Sequence, residues 1–170
     1  MVEGKAAFIT GAASGIGRAT AELFAEQGFW IGAADRNVAG LEALRAELGR
    51  DQCRTWRLDV ADKAAYDKVI DEVAEETGGR LDLLFNNAGI AVAGFFEDIP
   101  IEETRRVIEV NLGGVINGIY AALPLLKETR MNHLGKLMFQ SFYWHSLLPG
   151  RNIPGIGHEM PTSGKQNVST

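Results

Sequence analysis

Four times in its first 140 residues the chain repeats one unit: a strand-length apolar run, a turn marked by glycine or a capping side chain, then a segment with helical spacing. Ala6-Ala7-Phe8-Ile9 leads into a segment from about 15 to 27, where Ile16, Ala19, Leu23 and Phe24 recur at helical intervals and Gly28 is the expected stop. Residues 29–34 form the second apolar run, and 38–48 carry Leu41, Leu44, Ala46 and Leu48 up to Gly49. The third run is 52–58. Asp62 is the expected N-cap of a helix bearing Tyr66, Val69, Ile70 and Val73, ended by Gly78-Gly79. After a fourth run at 81–85, a long helix from about 101 to 128 carries Val107, Ile108, Val110, Leu112, Val115, Ile116, Ile119 and Leu123. Its middle is apolar nearly all round, which predicts burial on two sides. Residues 136–139 make a fifth strand. Such alternation implies βαβ units, and right-handed crossovers favour a doubly wound, Rossmann-like α/β fold. The expectation is about five parallel strands with helices on both faces, spanning 1–141 and incomplete at the C-terminal edge.

Composition narrows the function. With 46% hydrophobic and 23% charged residues the chain is expected to build a globular core rather than remain disordered. A net charge of −5 provides no basic footprint for nucleic acid and no polybasic handle for a membrane surface. No uninterrupted apolar run reaches the roughly 20 residues of a membrane span, and the start resembles no secretory signal. A lone cysteine, Cys53, excludes an internal disulfide and a multi-cysteine metal site, so no metal is expected and a cytoplasmic setting is the default. Glycine, at 20 of 170 residues, is over-represented.

The most informative glycines lie in Thr10-Gly11-Ala12-Ala13-Ser14-Gly15-Ile16-Gly17, where the first strand hands over to the first helix. Glycines there permit a tight turn and close approach of backbone to a pyrophosphate, while the helix N-terminus supplies N–H donors and the positive end of its dipole. The spacing is not that of an ATP-binding P-loop, and Arg18 does not replace that motif's lysine. Asp35 stands 18 residues beyond Gly17, at the end of the second run. A carboxylate there can accept hydrogen bonds from a ribose 2′-hydroxyl and repels a 2′-phosphate, so NAD is expected over NADP. Arg36, next to it, softens that preference.

Together these residues resemble the short-chain dehydrogenase/reductase family, in its classical branch. The glycine turn is similar to the family's TGxxxGIG motif, with Gly11, Ser14, Gly15, Ile16 and Gly17 placed to bind cofactor. The resemblance further implies that Asp59-Val60 contact the adenine ring. It also implies that Asn86-Asn87-Ala88-Gly89 steady the sheet, with Asn87, Ala88 and Gly89 bordering the cofactor, and that Asn111 orders a water in a proton relay. Ser141, after the fifth strand, matches the serine that holds the substrate oxygen. The implied activity is hydride transfer between NAD(P) and an unidentified alcohol or ketone, with a homo-oligomer built through the long helix. The alternative, from another class, is a non-catalytic dinucleotide-binding or interaction module.

The family's general acid/base is a tyrosine four residues before a lysine. An unperturbed tyrosine, with a pKa near 10, is too weak a base at neutral pH without that cation. Here Tyr66, Tyr120 and Tyr143 are followed four residues later by Ile70, Pro124 and Leu147. Lys165 has Pro161 where tyrosine belongs. Residues 142–170 scatter proline and glycine without helical or strand period and read as an irregular tail. Periodicity and family motifs stop together near Ser141, which points to a truncation, a shifted frame or an altered splice there. The coding DNA checks this: an alternative frame downstream of Ser141 is expected to encode Tyr-x-x-x-Lys, and its absence from both frames refutes the idea.

Overall fold

In a computed structural model of the chain, residues 4–132 and 136–139 are described. Five strands, β1 (Ala6–Thr10), β2 (Trp30–Asp35), β3 (Cys53–Arg57), β4 (Leu83–Asn86) and β5 (Lys136–Phe139), form one parallel sheet in the order β3-β2-β1-β4-β5. Between them run α1 (Gly15–Glu26), α2 (Val38–Leu48), α3 (Lys63–Thr77) and a helical stretch made of α4 (Ile101–Ile108), a wide π turn over Glu109–Gly113, and α5 (Gly114–Asn132). The order reverses between β1 and β4. This is the doubly wound arrangement expected from the alternation, with strand limits shifted by a residue or two. The irregular segment 142–170 and Ser141 lie outside the described residues.

Alternation along β1 builds two cores. Ala6 and Phe8 point to one side of the sheet, where Tyr66, Val69, Ile70 and Val73 of α3 meet Ala122 and Leu126 of α5. Ala7 and Ile9 point to the other, against Ala21 and Ala25 of α1 and Leu41 and Leu44 of α2. Each fully buried large apolar side chain contributes roughly 1.5–3 kcal/mol, so Phe8 and Ile9 anchor opposite layers from adjacent positions. The cap expected at Asp62 forms: its side chain accepts from the Ala65 N–H at 3.0 Å. Cys53 is fully buried, and burial pushes its thiol up to about 11, against a smaller opposing pull from Arg45.

Two helix faces differ from their sequence reading. In α1 the buried residues are Gly17, Ala21 and Ala25, whereas Ile16, Ala19 and Leu23 face solvent. Small side chains let the helix axis approach the sheet, and that closeness outweighs the burial of larger groups on the other face. The long helix follows the same rule. Val110, Gly114, Gly118, Ala122 and Leu126, four residues apart, form its buried stripe. Ile108, Leu112, Ile116, Tyr120 and Leu123 stay outside, with Tyr120 72% exposed. Among the described residues the helix is therefore buried on one side, not two.

By length and overall hydropathy Ile101–Thr129 is also long and apolar enough to cross a membrane. Counting only uninterrupted apolar residues overlooked this. Core helices share that character, and here Asn117 donates to the Val60 and Ala61 carbonyls at 2.9 and 3.3 Å, tying the helix to the loop after β3.

At Gly118 the closeness is absolute: a Cβ would collide with the Asn86 amide oxygen and the Tyr66 hydroxyl. Tyr66, fully buried, donates to Asn86 Oδ1 at 3.0 Å. Removing that donor strands a buried acceptor. Tyr66→Phe is expected to lower unfolding free energy by about 1–3 kcal/mol, and Gly118→Val by at least as much, measured by urea denaturation followed by circular dichroism.

Candidate functional site

The carboxyl ends of β1, β2, β3 and β4 bring Thr10, Asp35, Asp59 and Asn86-Asn87 to one edge of the sheet, around the β1/β4 reversal. In open parallel sheets that crevice is where ligands bind. Most of the sequence-selected residues gather there. Their hydrogen bonds show how.

Thr10, 1% exposed, accepts at Oγ1 from the N–H groups of Asn87 and Ala88, both at 3.1 Å. Asn87 Nδ2 donates back to the carbonyls of Thr10 and Gly11 at 3.0 and 3.2 Å. The ends of β1 and β4 are thus stitched together, and the first bend of the glycine turn is set. Gly11 has φ +68°, and a Cβ on it would lie 2.9 Å from Ala88 Cα. At Gly17 a Cβ would run into the Gly11 carbonyl oxygen and the Asn87 amide. No other residue fits at Gly17 without opening the turn.

The turn is braced equally from β2. Ala12 N–H donates to the Ala34 carbonyl at 3.2 Å, and Ala13 N–H to Asp35 Oδ2 at 3.1 Å. Asp35 Oδ1 accepts from the Asn37 N–H at 2.9 Å. Two backbone donors therefore orient this half-buried carboxylate and leave lone pairs on each oxygen for a further donor. Asn37 caps α2 by accepting from the Gly40 N–H, and the α2 start packs on Ala13 so tightly that a Cβ at Gly40 would come within 2.8 Å of the Ala13 Cβ.

At the α1 N-terminus Ser14 makes no side-chain cap, and no acidic residue occupies the first turn. The opening amides of a helix have no partner four residues back, and a Cβ built on Gly15 meets nothing within 4 Å. This open concave backbone, bordered by Gly11, Ser14, Gly15, Ile16 and Gly17, fits a diphosphate. Arg18 is held by Glu22 and Glu47, both at 2.7 Å, in ion pairs of α1 and α2.

Asp59 Oδ1 accepts from the Ala61 N–H at 3.1 Å. Its Oδ2 receives Arg106 Nη2 at 3.0 Å, with Arg36 Nε at 3.8 Å from the same oxygen. Partial burial pushes this carboxyl up, but the Ala61 N–H, Arg106 and Arg36 together outweigh it and hold it below its ordinary value. Val60 is buried, and a Cβ at Gly114 would reach its Cγ2 at 2.5 Å. Asn111 lies in the π turn. Its amide is used twice on one residue, accepting from the Ile90 N–H and donating to the Ile90 carbonyl, each at 2.9 Å. That pairing fastens the half-buried Ala88-Gly89-Ile90 segment to the long helix.

Sequence reasoning missed Asn37, Gly40 and Arg106 as parts of this edge, and placed Thr10 in the turn motif without its role in joining β1 to β4. The Thr10 and Arg106 contacts span 77 and 47 residues, and no local spacing announces them. Asn37, an Asx residue before an apolar helix, was legible as a cap.

A family model described as short chain dehydrogenase matches residues 5–137. D-threitol dehydrogenase of Mycolicibacterium smegmatis is 43% identical over 115 residues, covering 66% of this chain and 44% of its own length. The crystal structure of 3-ketoacyl-(acyl-carrier-protein) reductase from Brucella melitensis complexed with NADH superposes with TM-score 0.76 at 31% identity, over 82% of this chain and 57% of that one. An alcohol dehydrogenase from the archaeon Thermococcus sibiricus, complexed with 5-hydroxy-NADP, gives TM-score 0.70 at 35% identity, over 75% and 55%. The chain spans about half the length of the curated relatives it matches.

The Asp59 linkage has a definite sign. A carboxyl whose folded pKa is depressed adds stability above its unfolded value, near 4, and that stability fades as pH falls through the folded value. Native protein is therefore expected to lose stability between pH 5 and 3 more steeply than Asp59→Asn, as read from denaturation midpoints across that range.

Proposed function

The chain belongs to the short-chain dehydrogenase family, and from that premise we propose that it binds a nicotinamide adenine dinucleotide along the carboxyl edge of its sheet. The observation that carries this reading is the uncapped, glycine-lined start of α1 with Asp35 beside it. The first-turn amides of α1 receive the diphosphate. Asp35, held by the Ala13 and Asn37 N–H groups, accepts from the adenosine ribose and favours NAD over NADP. Asp59 and Val60 border the adenine, and Asn87, Ala88 and Gly89 line the way toward the nicotinamide. When bound, that ring gives or takes a hydride, and the reaction class is oxidation of an alcohol or reduction of a ketone. Relatives named for threitol and meso-2,3-butanediol make small polyols the first substrates to try.

In the chain as written no tyrosine stands four residues before a lysine. The family's general acid/base pair is thus not among these 170 residues, and such a group is worth about 10²–10⁴-fold in rate. The proposed behaviour is thus binding with little turnover, which is the non-catalytic module reading.

Calorimetric titration with NADH tests the proposal. Binding is expected in the wild type without measurable oxidation of threitol or 2,3-butanediol, and Gly17→Ala should weaken it more than about tenfold, an equivalent of 1.4 kcal/mol. A wild type that ignores both NADH and NADPH refutes the dinucleotide reading. Steady turnover refutes the inactivity.

A further inference from the structure

Two guanidinium groups compete for one carboxylate oxygen at the adenosine end of the site. Arg106 arrives from α4 and reaches Asp59 Oδ2 at 3.0 Å, while Arg36, the residue after Asp35, lies at 3.8 Å from the same atom. Arg106 is the better placed of the two, at hydrogen-bond distance. The Arg36 side chain is 60% exposed against 41% for Arg106. The four side chains Asp35, Arg36, Asp59 and Arg106 sum to zero charge, so the repulsion that Asp35 alone would exert on a 2′-phosphate is offset within the cluster.

Resting on the dinucleotide reading above, we propose that Arg106 is a positioning residue that sets how the site treats the 2′ substituent of the adenosine ribose: by occupying Asp59 at hydrogen-bond distance it leaves Arg36 only loosely paired, at 3.8 Å, and able to turn to a 2′-phosphate beside Asp35. Without Arg106, Asp59 Oδ2 loses its nearest donor and closes on Arg36. The guanidinium is then tied down, one positive charge has left the cluster, and Asp35 faces a phosphate uncompensated. A 2′-hydroxyl carries no charge and is little affected. Arg106 thus broadens a site that Asp35 by itself would restrict to NAD. The residue acts through Asp59 and Arg36, since it contributes the cluster's second positive charge from an element remote in sequence. It needs no contact with the cofactor.

The experiment measures dissociation constants for NADH, NADPH, 5′-AMP and 2′,5′-ADP by calorimetry on the full chain, in the wild type and in Arg106→Gln, Arg106→Lys and Asp59→Asn. Arg106→Gln is expected to weaken NADPH relative to NADH, and 2′,5′-ADP relative to 5′-AMP, by about fivefold, the scale of a partly exposed charge interaction. Arg106→Lys keeps the charge and should recover most of that ratio. Asp59→Asn releases Arg36 and should move the ratio the other way, which carries the test if Arg106→Gln does not fold. Equal weakening of phosphorylated and unphosphorylated ligands in Arg106→Gln, or an unchanged ratio in Asp59→Asn, overturns the role. A wild type that binds none of the four ligands removes the dinucleotide reading and this inference together, an outcome distinct from binding with unaltered ratios.

Discussion

The stitch between Thr10 and Asn87 is the constraint on which the rest depends. A parallel sheet whose order reverses leaves its two central strands diverging at their carboxyl ends, with backbone donors and acceptors that must be paired if buried. One hydroxyl accepts two N–H groups, and one amide donates to two carbonyls. That closes the gap and fixes where Gly11 turns. Once Gly11 is fixed, its carbonyl oxygen leaves no room for a side chain on Gly17. The start of α1 follows, and with it the line along which its amides point. Ala12 and Ala13 tie the same turn to β2, so strand ends on both sides hold it.

Close packing by small residues is the second organising device. α1 rests on Gly17, Ala21 and Ala25, and α5 on Gly114, Gly118 and Ala122. Interiors pack as densely as organic crystals, and a helix brought near the sheet by glycine gains contact along its whole backbone. Larger apolar side chains end up outside. Leu112, 57% exposed, and Tyr120 belong to a stripe left uncovered within the described residues. The wide turn at Glu109–Gly113 places Asn111 against Ile90, and Asn117 reaches the carbonyls after β3. Polar groups on an otherwise apolar helix thereby set its register.

Asp35 and Asp59 are alike in charge and differ in company. Asp35 is oriented by backbone N–H groups belonging to the glycine turn and the α2 start. Asp59 takes a backbone N–H and, in addition, the attention of two arginines. The first carboxylate is part of the scaffold that shapes the turn. The second is the centre of a charge cluster whose members come from the turn after β2, the loop after β3, and α4.

The amino-acid sequence by itself determined the alternation of strands and helices, and through it the doubly wound sheet. It determined the glycine turn and the acidic residue after it as well, because these rest on local period, steric freedom and spacing along the chain. It could not say which helix faces are buried. Ile16, Leu23, Ile116 and Leu123 satisfy a helical period as well as Ala21, Ala25, Gly118 and Ala122 do, and a pattern apolar on several sides does not choose among them. Only the distance between helix and sheet decides, and it favoured the small residues. Likewise Tyr66 with Asn86, Thr10 with Asn87, and Arg106 with Asp59 are separated by 20, 77 and 47 residues. Such partners are chosen by the closing of the sheet, which brings together side chains that no local signal relates.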